Sequence, residues 1–440
     1  MNLLTCVQTL PSDPAAGLRL APFHGVRYAP GAVSGIANVT SPPYDVIGTG
    51  IREHLLSADP HNVIRLILPD AAPDASPDPA ADAATRLREW LGSGVLVRDD
   101  RPGIYIYEQN DGSGVTQRGL ISLVEVGSGI LPHENVMPGP VAGRHDLMAA
   151  TQSNLEPIFL IYDGSADVAR FVDEVTASRS PVLTAEVDGS VHRLWAVHDP
   201  AEVTLVTSGL AGRQALIADG HHRYAAYTQL RDEARGSGRG AGPWDYGLAF
   251  LVDSAAYPPR IGAVHRALPG LDVARAVALA GSAFAVRPLG DRLDEALRVL
   301  GSVASPAFVL AGDGRYWLIT DPDRARLDAA MPPGTSARWR SLDAAVLQEL
   351  LIGQVWGIED NERDVLVFHD PVEAVRAGGT AVLAKPITFG TVRDIASRGE
   401  RVPRKSTSFG PKPRTGLVLR YWGPASSLDS RPTRASSTDS

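Results

Sequence analysis

Residues 213–232 read Arg-Gln-Ala-Leu-Ile-Ala-Asp-Gly-His-His-Arg-Tyr-Ala-Ala-Tyr-Thr-Gln-Leu-Arg-Asp. The apolar run Ala215 to Ala218 stops at Asp219-Gly220, and the hydrophobic period changes there. Tyr224, Ala225, Tyr227, Thr228 and Leu230 recur at spacings of three and four, which predicts a helix with one apolar stripe. Asp219 is the expected N-cap, and Gly220 supplies a tight turn that lets a ligand approach the backbone. The first helical turn then carries His221, His222 and Arg223 beside amides that a helix leaves without internal partners. Free N–H donors, the positive end of the dipole and a forked guanidinium suit phosphate. The alternative is an exposed basic turn with no ligand. Cations at a helix N-terminus oppose its dipole, however, so three in a row call for a cause.

Composition limits the rest. A chain of 440 residues exceeds one ordinary domain, and 44% hydrophobic with 21% charged residues supplies ample core for two or three. The net charge of −8 argues against a dedicated nucleic-acid binder. Cys6 is the only cysteine, which excludes an intramolecular disulfide and a multi-thiolate metal site and suits a cytoplasmic protein. No basic stretch precedes an apolar core near Met1, so no secretory signal is expected. No apolar run approaches the length of a spanning helix, so no membrane partner is expected either.

The cations carry a sharper signal. Of 42 Lys and Arg residues only Lys385, Lys405 and Lys412 are lysines. In a chain so biased toward arginine, the lysines that remain mark positions where a compact ammonium serves better than a planar fork. Chance clustering is the competing explanation.

Along the chain, Leu18 to Tyr28 reads as an irregular strand, Ile51 to Ala58 as a helix and Asn62 to Leu68 as a buried strand. Ser41-Pro-Pro-Tyr-Asp-Val46 is a stiff turn that presents Tyr44 and Asp45 on a loop, with a structural role the first reading. Pro69 to Ala81 is a linker and Ala83 to Leu91 a helix; Asn110 to Gly114 turns a hairpin between two strands. Asn154 to Tyr162 is a strand, and so is Ala263 to Leu268, whose His265-Arg266 pair could face a site or simply sit on the surface.

Two further stretches carry chemistry. Ile130-Leu-Pro-His-Glu-Asn-Val136 sets Glu134 beside His133 on a loop, a pairing suited to general-base work on a hydroxyl. It is not the zinc-protease helix motif, because Met137 stands where the second histidine would be. Val402 to Gly416 gathers four cations and four hydroxyls on a proline-stiffened loop suited to phosphate or a carboxylate; a solvated basic loop is the alternative. Ala425 to Ser440 is polar and is expected to be disordered.

Pro-Phe-His-Gly-Val-Arg-Tyr at 22–28, Ser-Pro-Pro-Tyr-Asp-Val at 41–46 and Pro-His-Glu at 132–134 stand in order along the chain. Ile-Ala-Asp-Gly-His-His-Arg-Tyr at 217–224 and Pro-Arg-Lys-Ser-Thr-Ser-Phe-Gly-Pro-Lys at 403–412 continue the series. Together they resemble the family catalogued as domain of unknown function 1015. The Asp-Gly-His-His-Arg element also resembles the phosphate-binding motif of the ParB/sulfiredoxin superfamily, in the form carried by its free serine kinase branch. That resemblance implies an α+β fold: a mixed-sheet ParB/sulfiredoxin-like core at 111–270, an N-terminal α/β region at 1–110, a C-terminal α/β region at 271–424 and the tail 425–440.

It further implies a cytoplasmic phosphotransferase that uses ATP or ADP with Mg²⁺ on a small hydroxyl compound, L-serine first among them. Glu134 would be the catalytic base. Asp219 would hold metal or position the nucleophile, with His222 catalytic, and Gly220, His221, His222 and Arg223 would bind the nucleotide. Lys405, Ser406 and Thr407 would take remaining phosphates or the substrate carboxylate. Two alternatives stay open: a CTP- or ATP-binding regulator, and a metal-dependent hydrolase built on His133, His145, His221 and His222.

Overall fold

A computed structural model describes residues 17–69, 77–112, 116–304, 306–361 and 363–424. Cys6, the middle of the 69–81 linker, the tip of the 110–114 hairpin and the expected disordered tail lie outside the described residues. The chain separates into two compact units, one formed by Met1–Pro258 with Pro411–Ser440 and the other by Pro259–Gly410. These units cut across the segments 1–110, 111–270 and 271–424, because the chain returns to the first unit after Gly410.

A mixed nine-stranded sheet organises the first unit. Its order is Ile130–Leu131, Ala215–Asp219, Ile158–Tyr162, Tyr246–Asp253, Thr116–Glu125, Ile104–Asn110, Ser190–Val197 and Leu183–Val187, with Leu20–Ala21 joined to Thr116–Glu125. Ala215–Asp219 runs parallel to Ile130–Leu131 and antiparallel to Ile158–Tyr162, which in turn runs parallel to Tyr246–Asp253. The central strands are buried along almost their whole length, so up to the aspartates that end two of them they read as continuous apolar runs instead of alternating ones. Helices Pro138–Thr151 and His221–Gly236 lie against each other, and Val141, Met148, Tyr224 and Tyr227 share one core with the sheet.

A second, four-stranded sheet in this unit orders Leu96–Arg98, Gly25–Tyr28, Leu419–Tyr421 and Ser153–Asn154. The returning strand is stitched in by buried Arg420, which donates to Asn154 Oδ1 at 3.0 Å and to the carbonyls of Tyr246 and Pro243. Burial among neutral acceptors pulls the Arg420 pKa down to about 10. The other unit carries a six-stranded sheet, ordered Ala285–Gly290, Arg315–Thr320, Phe308–Gly312, Thr380–Leu383, His265–Leu268 and Leu366–Phe368, with its own apolar core.

Two local expectations are corrected. The stretch 62–68 holds a short helix, Ile64–Ile67, and not a strand. Asn62 Oδ1 accepts the Ile64 amide at 2.9 Å while Asn62 Nδ2 donates to the Asn38 carbonyl at 2.7 Å, and this side-chain turn overrides the β preference of the branched residues. The strand 154–162 is broken into Ser153–Asn154 and Ile158–Tyr162, which places Glu156 and Pro157 in the gap. Among the described residues no helix is long and apolar enough to cross a membrane.

Gly119 sits where a Cβ would lie 2.3 Å from the Leu251 carbonyl oxygen on the adjacent strand. Gly119→Ala is expected to force the two strands apart and to destabilise the unit by about 1–3 kcal/mol. A fall in the urea midpoint at unchanged slope would show it; an unchanged midpoint would mean that the strands yield freely.

Candidate functional site

The strand Ala215–Asp219 ends at a buried carboxylate, and Gly220 turns the chain into the helix His221–Gly236 at φ +97°. A Cβ there would lie 3.0 Å from Ile158 Cγ2, and the left-handed backbone adds its own penalty to any larger residue. Gly220 is therefore the N-cap. The Asp219 side chain does not cap, because it is committed elsewhere.

Its Oδ2 accepts from Arg223 Nη2 at 2.5 Å, and its Oδ1 pairs with Lys412 Nζ at 2.6 Å. Lys412 also pairs with Asp45, so one ammonium bridges two carboxylates from distant parts of the chain. Backbone pairing fixes that geometry. Ser41 and Thr415 exchange amide hydrogen bonds of 3.1 and 2.9 Å, and Arg414 donates through Nε to Thr40 Oγ1 at 2.7 Å, laying 412–415 along the Pro-Pro-Tyr-Asp turn.

A second carboxylate anchors the same turn from behind. Glu156 Oε1 accepts the Tyr44 amide at 3.1 Å and the Thr415 hydroxyl at 3.2 Å, while its Oε2 lies 3.9 Å from Arg144. The Arg144 guanidinium stacks over the Tyr44 ring, 4.4 Å from its centroid. Arg223, only 2% exposed, spends Nη1 on the Pro157 carbonyl. Three carboxylates (Asp45, Glu156, Asp219) thus face three cations (Arg144, Arg223, Lys412) in one neutral cluster.

Opposing effects set the charges. Burial raises the Asp219 pKa, but Lys412 and Arg223 outweigh it and hold the carboxyl below its ordinary value. Burial likewise works against protonated Lys412, and Asp219 with Asp45 overcomes it, so the ammonium is held above its usual range. The Tyr44 hydroxyl is pushed up to about 12, chiefly by burial, against the pull of Arg223 and Arg144.

The two histidines do something other than present charge to solvent. His221 Nε2 accepts the backbone amide of His133 and His222 Nε2 that of Met137, each at 3.2 Å. A nitrogen that accepts an N–H carries no proton itself, so both imidazoles serve as acceptors that clip the 133–137 loop to the helix start. His133 and His221 also meet edge to face, with ring centroids 4.5 Å apart. Glu134 lies half-buried on the loop that these two contacts hold.

Arg223 turns inward to Asp219 and Pro157, contrary to the outward role that its place in the first turn implied. Lys405, Ser406 and Thr407 belong to the Pro259–Gly410 unit. His145 bonds Glu233 Oε2 at 2.9 Å and Asp146 Oδ1 at 3.0 Å, linking two helices. Lysine scarcity had marked Lys412. Glu156 was missed, although a glutamate followed by proline inside an apolar strand pattern was the available signal.

The implied Mg²⁺ can be tested against these donors. Both oxygens of Asp219 are already paired with cations, and an ammonium fills the gap between Asp219 and Asp45. Among the described residues no group of three or more His, Cys, Asp or Glu side chains is arranged to hold a metal. The residues present do not fit a metal ion bound directly to Asp219.

The family model described as "Protein of unknown function (DUF1015)" matches residues 20–345. A comparison with curated proteins finds no match. Solved structures similar to this chain include a conserved hypothetical protein from Pyrococcus furiosus, at 14% identity, TM-score 0.34, covering 66% of this chain and 90% of that one. Others are a free serine kinase in complex with AMP (15% identity, TM-score 0.34, 66% and 87%) and SbnI with C-terminal truncation from Staphylococcus aureus (12%, 0.34, 66% and 82%).

Lys412→Met removes the ammonium shared by two carboxylates and is expected to cost about 3 kcal/mol, the low end for breaking a buried pair, because Asp45 remains 35% exposed. The pH dependence has two limbs. Asp219, with its pKa lowered, contributes stability that is full above its unfolded-state value and is lost as pH falls through the folded one. Lys412, with its pKa raised, contributes stability that is full below its unfolded-state value and is lost as pH rises through the folded one. In Lys412→Met the largest influence opposing the burial of Asp219 is gone, so the acid limb of a Tm series moves to higher pH; an unmoved limb would count against the bridge.

Proposed function

We propose that this chain, which belongs to the DUF1015 family, is a nucleotide-dependent phosphotransferase acting on a small hydroxyl compound, with free L-serine the leading acceptor. One observation carries the reading: His221 and His222 clip the Glu134 loop onto the start of the 221–236 helix. The loop so docked carries Glu134, and a helix start of this kind suits phosphate. The Asp-Gly-His-His-Arg turn, standing where a buried strand of a mixed sheet meets this helix, also supports a ParB/sulfiredoxin-like core. A cytoplasmic location goes with this reading.

In the proposed step Glu134 takes the proton of the acceptor hydroxyl. The acceptor oxygen forms a bond to the terminal phosphorus of ATP or ADP while the bond to the bridging oxygen breaks, and the shortened nucleotide leaves with that electron pair. Lys412 can exchange Asp45, its more exposed partner, for a phosphate oxygen without leaving Asp219. Arg223 holds Asp219 in place and so acts as a positioning residue.

A second reading, a nucleotide-binding regulator with slow turnover, is favoured by the full pairing of Asp219, which leaves that carboxylate no oxygen for catalysis. Turnover of ATP, ADP and CTP with and without L-serine separates the two. Serine-dependent phosphate transfer supports the kinase, and nucleotide turnover indifferent to serine supports the regulator. Glu134→Gln is expected to lower kcat by about 10²–10⁴-fold while nucleotide affinity is kept. An unchanged kcat removes Glu134 from the chemistry.

A further inference from the structure

The proposed chemistry leaves Lys385 and the Ser406 loop unused. Within the Pro259–Gly410 unit both line one cleft of about 250 Å³. Its floor is apolar, with Val264, Leu342, Leu347 and Ile387, and its polar lining holds three cations, Arg266, Arg338 and Lys385, against a single carboxylate, Asp343. An excess of positive charge over an apolar floor favours an anion, because low polarity strengthens each charged contact.

The cations are not equivalent. Arg266, 6% exposed, donates to the carbonyls of Arg404 at 3.2 Å and Lys405 at 2.9 Å, which ties down the loop that brings Ser406 to the cleft. Lys405 holds φ +53° on that loop, a left-handed conformation seldom taken by a long side chain and sustained here by the Arg266 clamp. Lys385 donates to the Val303 carbonyl at 3.1 Å, while Asp343 stands off at 3.9 Å, beyond a charge-assisted hydrogen bond. An ammonium has three donors, so Lys385 retains capacity for an incoming oxygen. Arg338 supplies a planar fork to the same cleft, resting on Asp394 at 3.2 Å.

We propose that this cleft binds a small organic anion, a carboxylate or phosphate monoester with an apolar body. Lys385 and Arg338 take the charge, and Leu342, Leu347 and Ile387 take the body. The cleft is smaller than the roughly 300–1,000 Å³ of sites for drug-sized ligands. None of its lining residues is aromatic, so a nucleotide base has nothing to stack on. The site is therefore separate in kind from the proposed nucleotide site, and its existence does not depend on that proposal.

Titration calorimetry on the full chain tests this with 3-methylbutyl phosphate, 4-methylpentanoate and inorganic phosphate as probes. At least one of the two organic anions is expected to bind more tightly than inorganic phosphate, and which one binds identifies the headgroup. Lys385→Met is expected to weaken that binding about tenfold or more, and Arg338→Gln, at a half-exposed position, to do likewise without disturbing the core. Excess ATP should leave the affinity unchanged. The proposal is overturned if neither organic anion binds, if both variants bind as the wild type does, or if ATP displaces the probe. Should Lys385→Met fail to fold, Arg338→Gln decides alone.

Discussion

A carboxylate at the end of a buried strand has to be compensated, and in the first unit the compensation of Asp219 draws the motifs together. Leaving a charge unpaired inside protein costs several kcal/mol. Arg223 reaches Asp219 from one helical turn on, but Lys412 reaches it from the far end of the chain and brings Asp45 with it. The requirement for neutrality around one strand end therefore joins the 41–46 turn, the 219–223 element and the returning segment after Pro411.

The balance is local as well as global. Glu156 sits behind the turn and shares the field of Arg144, so three carboxylates meet three cations with little net charge left over. Each of these charged groups has its partner within the chain itself. Its exposed edge is at Asp45 and Lys412. The histidines contribute differently: as acceptors of backbone amides they convert the helix start into a clasp for the loop that carries Glu134.

The Pro259–Gly410 unit solves its own electrostatic problem in another way. There Arg338 is paired with Asp394 at 3.2 Å while Asp343 stands 3.9 Å from Lys385, and both cations line a cleft with Leu342, Leu347 and Ile387. Arginine clamps recur in both units, as Arg420 and Arg266, each spending a buried guanidinium on backbone carbonyls.

Periodicity alone determined the strand-turn-helix at 215–236, the hairpin strands flanking 110–116 and most helices, since these arise from local spacing and from glycine and proline chemistry. The scarcity of lysine marked Lys385, Lys405 and Lys412 alike, without distinguishing the one that pairs with Asp219. What the sequence could not express was partnership across long separations. Asp45 and Lys412 stand 367 residues apart, and the Thr415 hydroxyl meets Glu156 across 259. Only the tertiary structure decided that the Pro-Pro-Tyr-Asp turn belongs to the site, that Arg223 faces inward and that the histidines accept amides. Direction and pairing of side chains are fixed by how burial and charge are satisfied in three dimensions, and linear spacing carries no record of that.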